Sequence, residues 1–166
     1  MNHRRDGILT PEEIEGQTPP ADRAAKGPVV VVECVERIPC NPCVDACPRG
    51  AITIDGDIND IPSVDHERCN GCGLCISACP GLAIFVIDAS AAGESGAVML
   101  PYEYRPLPRE GEIVTALDRG GEPVCDARVT RVLSSKALDR TPIVTIEIPK
   151  SRIMEVRHFR RKDPSR

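Results

Sequence analysis

The 166-residue sequence predicts an α+β chain in which a duplicated, cysteine-rich domain precedes a small all-β, barrel-like domain. Three observations carry this expectation. A half-module recurs at an offset of 32 residues, matching Cys40 with Cys72, Cys43 with Cys75, Ala46 with Ala78, Cys47 with Cys79, Pro48 with Pro80, Ala51 with Ala83 and Ile52 with Ile84. Beyond residue 97 the texture changes to short β-prone segments bounded by turn residues, without helical periodicity. Finally, 16 Pro, 13 Gly and only 2% aromatic residues leave little material for a large core. A subdomain of about 60 residues buries only about 60% of its unfolded surface, a regime in which bound metal commonly supplies the missing stability.

Taken in order, residues 1–28 carry Pro11, Pro19, Pro20 and Pro28 among charges and read as an extended N-terminal arm, disordered or laid on a partner. Within it, Thr10-Pro11-Glu12-Glu13 is a helix-start signature. The cysteine-rich domain spans 29–90. It opens on the β-branched strand Val29-Val30-Val31-Val32, and each repeat then runs loop, short helix, Cys-Pro and strand. The closing strands are Ala51–Ile54 and Ala83–Ile87. Residues 91–97 are small and Gly-rich and read as a linker. The β-rich domain, 98–166, has expected strands at Val98–Leu100, Glu112–Leu117, Val124–Leu133, Ile143–Ile148 and Ile153–His158, with a hairpin turn at Asp118-Arg119-Gly120-Gly121. It ends in a locally basic tail, and no catalytic constellation is visible in it.

The cysteine runs are Cys40-Asn-Pro-Cys43-Val-Asp-Ala-Cys47-Pro48 and Cys69-Asn-Gly-Cys72-Gly-Leu-Cys75-Ile-Ser-Ala-Cys79-Pro80. The second is a complete C-x2-C-x2-C-x3-C-P, the spacing of paired iron–sulfur clusters in which the fourth cysteine ligates the other cluster. Each iron of a [4Fe-4S] cube needs one outside thiolate, and three closely spaced cysteines cover three corners. The second cluster is therefore expected to take Cys69, Cys72, Cys75 and the crossed-over Cys47. The first takes Cys40, Cys43 and the crossed-over Cys79, and needs one more ligand. Arg37 stands where the spacing wants it, so Cys34, three residues upstream, becomes the candidate through a looped 34–40 segment. If Cys34 does not reach, a [3Fe-4S] cluster is the fallback.

Structural zinc is the competing reading, but two Cys-Pro endings on a matched repeat fit cubes better than single ions. A radical-type C-x3-C-x2-C site fails, because Gly50 and Leu82 stand where its last cysteine is required. Cys125 reads as a small apolar residue outside the site. His66 is expected on a surface loop, and Asn70, Gly71 and Gly73 are expected to supply backbone N–H groups near the sulfurs.

Nine cysteines without an apolar signal stretch after Met1 point to the reducing cytoplasm and to metal or redox chemistry, not disulfides. No apolar run is long enough to span a membrane. The net charge of −4 hides an asymmetry: residues 29–90 hold nine acids against Arg37, Arg49 and Arg68, whereas 101–166 hold fourteen Lys/Arg against ten acids. An acidic front half argues against a nucleic-acid partner, and the basic end Arg157–Lys162 reads as a solvated tail or a protein contact.

Residues 29–90 resemble the 2[4Fe-4S] bacterial-type ferredoxin family, on the two motifs given above. A wider likeness rests on Val32-Glu33-Cys34 with Cys40-Asn41-Pro42-Cys43, on Pro80-Gly81-Leu82-Ala83-Ile84-Phe85 and on Thr141-Pro142-Ile143-Val144-Thr145. These are similar to the small dicluster subunits of flavin-dependent amine or amino-acid dehydrogenases of the proline/hydroxyproline type. That resemblance implies a flavoprotein partner that oxidises the substrate, with this chain relaying single electrons and holding no catalytic residue. The alternatives are a free soluble ferredoxin serving several enzymes and a scaffold stapled by clusters.

Overall fold

The computed structural model describes residues 3–138 and 141–162. The first two residues of the expected arm and residues 163–166 of the expected tail lie outside them. Among the described residues, nine strands form two sheets. A seven-stranded antiparallel sheet has the order β1 (Val29–Val32), β4 (Ile84–Asp88), β5 (Ser95–Pro101), β8 (Ile143–Pro149), β7 (Pro123–Leu133), β6 (Ile113–Leu117) and β9 (His158–Arg161). The small second sheet pairs β2 (Ile52–Thr53) with β3 (Ser63–Val64).

β1 and β4 divide two cores. Successive strand residues point to opposite faces, so Val29 and Val31 enter one core with Phe85, Ile87, Val98, Leu100, Val129, Ile146 and Phe159. Val30 and Val32 enter the other with Ile84, Val86, Ile52, Ile76, Cys43 and Cys75. All four valines are buried, and full burial of such a side chain contributes roughly 1.5–3 kcal/mol. An uninterrupted β-branched run is what a strand covered on both faces requires.

The strands expected in two separate domains form one sheet. Residues 95–97 of the expected linker belong to β5, which pairs with β4 through Val86↔Met99 and Ile87↔Val98, and with β8 along its whole length. The reason lies in β4, whose residues Ile84–Ile87 are buried on both faces and need a neighbour on each side. Strand β9 also departs from expectation. It begins at His158, because 150–152 form a 3-10 turn and Val156 is fully buried, which turns the chain before it pairs with β6. The basic end is built into the fold: Arg157 is buried, Arg161 donates to Glu112 at 2.6 Å and Lys162 pairs with Asp126 at 2.6 Å.

The N-terminal arm lies on its own chain. It contains α1 (His3–Asp6), a 3-10 turn at Pro11–Gln17 and α2 (Ala21–Ala24), and it anchors through Ile14, which is 2% exposed. The Thr10–Glu13 start signature is present, with the Thr10 N–H donating to Glu13 at 2.9 Å. No helix among the described residues is long and apolar enough to cross a membrane.

Candidate functional site

The two cysteine runs fold as matched turns. In the first, α3 (Pro42–Asp45) starts with proline in its first turn, where a missing N–H costs nothing. In the second, α4 (Leu74–Ala78) starts after Gly73 at φ +81°. The helices pack against each other, and each delivers a Cys-Pro pair. The turns that follow have the same shape: Gly50 N–H donates to Cys47 O at 3.1 Å and Leu82 N–H to Cys79 O at 3.2 Å, with φ +55° and +52°. Leu82 holds this left-handed conformation without being glycine, a position that ordinarily disfavours a side chain.

Around these turns the eight candidate cysteines separate into two cavities. One is lined by Cys34, Cys40, Cys43 and Cys79, together with Val32, Ile84, Pro42, Pro62 and Pro80. The other is lined by Cys47, Cys69, Cys72 and Cys75, together with Val30, Ile52 and Val86. In each, the Cys-Pro cysteine comes from the opposite run. Arg37, which occupies the position the spacing reserves for a cysteine, turns outward to Asp60 at 2.8 Å, while Cys34 faces the first cavity. Cys125 packs partly buried against the sheet core, away from both cavities. Among the described residues no three His, Cys, Asp or Glu side chains are placed closely enough to hold a single metal ion; the thiols of each cavity surround a shared space instead. That arrangement suits a cube taking one thiolate per corner.

The electrostatics of the cavities depend on what fills them. Burial pushes the Cys43 thiol up to about 11, with Cys79, Cys40 and Cys34 adding to the effect. Burial likewise takes Cys75 up to about 12, with Cys69, Cys72 and Cys47 adding to it. Four thiolates in one half-buried pocket repel one another, and a cationic iron core held by them would reverse that balance by favouring their deprotonated form. Cys47 differs. Burial raises it, but the N–H groups of Ala51, Arg49, Ile52 and Gly50 outweigh burial and hold it below the ordinary thiol value. Sulfur-directed N–H groups recur, from Ala51 to Cys47 at 3.2 Å, Ala83 to Cys79 at 3.5 Å and Gly71 to Cys69 at 3.4 Å. Such bonds stabilise a thiolate and tune a cluster.

Two further sets of residues hold the cysteine segments, and neither has a motif that marks it in the sequence. Arg23 of the arm, 8% exposed, donates to His66 O at 2.8 Å, Gly27 O at 3.2 Å, Pro28 O at 3.3 Å and Cys69 O at 2.5 Å. It ties the first cysteine of the second run to strand β1. His66, expected on the surface, is half-buried, and burial lowers its pKa. Beside the first cavity, Glu33 accepts from Arg119 at 2.9 and 2.5 Å and from Arg157 at 2.6 Å. Glu33 follows β1 and Arg157 precedes β9, so this triad links the chain beside the two edge strands. The seven-stranded sheet thus includes β1 and β4 of the cysteine-rich segment. The sequence offers one hint, an acidic residue placed between four buried valines and Cys34.

Residues 34–83 match the 4Fe-4S dicluster domain family. Among curated proteins, the chain is 43% identical over 83 residues to an uncharacterized ferredoxin of Methanocaldococcus jannaschii, covering 49% of this chain and 48% of that protein. It is 34% identical over 76 residues to the polyferredoxin-like subunit of the aliphatic sulfonate oxidoreductase of Pyrococcus furiosus, covering 46% and 41%. It is 38% identical over 63 residues to the ferredoxin-type protein NapF of Haemophilus influenzae, covering 36% of each. The chain thus spans less than half the length of these relatives. No solved structure matches. The dicluster match and the two thiol-lined cavities agree, and residues 34–83 are a 4Fe-4S dicluster domain of the ferredoxin type whose cofactors are two [4Fe-4S] clusters.

Proposed function

We propose that this chain is the electron-transfer subunit of a multisubunit flavin-dependent amine or amino-acid dehydrogenase. The observation that carries the electron-transfer part is the sorting of eight cysteines into two cavities, each with one Cys-Pro cysteine from the opposite run. We assign Cys34, Cys40, Cys43 and Cys79 to the first cluster and Cys47, Cys69, Cys72 and Cys75 to the second. Bound clusters supply one-electron storage at each site. The residues of the chain do the rest: the apolar wall of Val30, Val32, Ile52, Ile84 and Val86 excludes water, and backbone N–H groups aimed at sulfur stabilise the charged ligands. The relatives' descriptions as ferredoxins and as an oxidoreductase subunit support this class.

The flavoprotein partner rests on the wider resemblance in the Cys34–Cys43, Pro80–Phe85 and Thr141–Thr145 segments, and the compartment assigned to such a complex is the cytoplasm. Anaerobic purification from the native source is expected to return this chain with a larger flavin-containing subunit. Addition of an amino-acid or amine substrate then bleaches both the flavin band and the broad thiolate-to-iron absorbance. Recovery of a lone monomer that several unrelated enzymes reduce would contradict the subunit reading in favour of a free soluble ferredoxin.

A further inference from the structure

We propose that Arg119 and Arg157, acting through Glu33, and Gln17 of the arm are positioning residues for Cys34 that set the reduction potential of the first cluster. The inference rests on the assignment of Cys34 as a ligand. Cys34 lies outside the regular spacing, six residues before Cys40, and residues 33–38 belong to no helix or strand. A ligand on such a segment has no scaffold of its own, unlike Cys75, which sits in the first turn of α4.

The structure provides tethers on both sides of Cys34. Glu33 N–H donates to Ala83 O at 2.7 Å, just before β4. The Glu33 carboxylate is gripped by the two guanidinium groups, and Gln17 Nε2 donates to Cys34 O at 3.0 Å. Arg157 is itself fixed. It donates to Ile153 O at 3.1 Å and Val156 O at 2.6 Å, and its guanidinium lies 5.1 Å over the Phe85 ring. The side chains of Glu33, Arg157 and Arg119 are 5%, 4% and 14% exposed, so the group is shielded from solvent.

The chemistry follows from charge and rigidity. Two guanidinium groups against one carboxylate give the triad one surplus positive charge, shielded from water and adjacent in the chain to Cys34, which offsets the carboxylates of Glu36 and Asp60 that line the first cavity. A positive charge favours the state of a neighbouring cluster that holds one more electron, and outer hydrogen bonds that fix ligand orientation tune its potential. The strand extension is thereby coupled to one cluster and not the other. Arg23 stands at Cys69 through its carbonyl, but no Glu–Arg pair adjoins that cysteine among the described residues.

The test is an anaerobic redox titration of the full chain followed by EPR, with the first-cluster signal identified as the one altered in Cys34→Ser. Arg119→Gln removes one charge and two hydrogen bonds while leaving the Arg157–Glu33 pair. It is expected to shift the first cluster to lower potential and broaden its signal, with the second cluster unchanged. Arg119→Lys is expected to recover part of the shift. Gln17→Leu, which changes no charge, is expected to broaden the first-cluster signal alone, and it keeps the inference testable if Arg119→Gln does not fold. Unchanged first-cluster behaviour in Gln17→Leu and in folded Arg119→Gln, or equal shifts in both clusters, overturns the inference. A Cys34→Ser chain with an unaltered spectrum overturns the ligand assignment instead, so the two failures are distinguishable.

Discussion

Replacing Glu33 with alanine is expected to destabilise the chain by about 3–5 kcal/mol, because it leaves the buried guanidinium of Arg157 and the part-buried one of Arg119 without their counter-charge. For a chain of this size each kcal/mol corresponds to roughly 2–4 °C in Tm, so the loss is readily visible by thermal denaturation under anaerobic conditions. Its size follows from position. Glu33 is 7% exposed and accepts from residues 86 and 124 positions away, so its removal loosens the junction between both edge strands of the seven-stranded sheet. The exposed pair Arg152–Glu155 is the control. Both side chains are about half exposed, and Glu155→Ala is expected to change stability by less than about 1 kcal/mol. Equal effects of the two substitutions would show that the triad does not hold the sheet edges together.

Gly71→Ala is expected to cost the chain its second cluster. Gly71 lies at φ +66°, and a methyl group there meets Pro28 Cβ and, at 2.7 Å, the Pro28 carbonyl carbon. The left-handed conformation costs an alanine roughly 1–2 kcal/mol, and overpacking adds about 1–3 kcal/mol. The obstacle is backbone and proline ring, which cannot rotate away, so the loop between Cys69 and Cys72 must move. The expected readout is an iron content near four per chain in place of roughly eight, given four irons per cube. Gly93 provides the comparison, with φ +82° and nothing within 4 Å of an added Cβ. Gly93→Ala carries the conformational cost alone and is expected to keep its full iron content.

Much of the site was legible in the sequence because cluster ligation is a local spacing problem. Three cysteines within seven residues cannot avoid one another, and the Cys-Pro endings of a matched repeat point Cys47 and Cys79 each to the cavity lined by the opposite run. The exception in the first run was legible only as a candidate, and the structure shows what accommodates it: Arg37 turns outward to Asp60 and Cys34 faces the cavity. What the sequence hid is tertiary. Spacing says nothing about which guanidinium will meet Glu33, since Arg119 sits in a hairpin turn and Arg157 in a run of cations that reads as a solvated tail.

The continuity of the sheet is hidden for a related reason. Short strands after a Gly-rich stretch look like a new domain, and composition cannot register that Ile84–Ile87, buried on both faces, requires the strand at 95–101 as its neighbour. The pattern that carried this information was the unbroken Val29–Val32 run. An alternating strand faces one core, whereas four consecutive valines face two. The arm reads as disordered because its prolines and charges resemble such a segment, while its contribution rests on a few contacts, the apolar Ile14 and the donors Gln17 and Arg23.

The central claim is that two cubes are held crosswise, and it is tested most directly by EPR and iron analysis of anaerobically reduced single Cys→Ser variants. The account predicts that Cys47→Ser alters the same cluster signal as Cys72→Ser, and that Cys79→Ser alters the same signal as Cys40→Ser. If Cys47→Ser instead perturbs the cluster that Cys40→Ser perturbs, the crossing is contradicted.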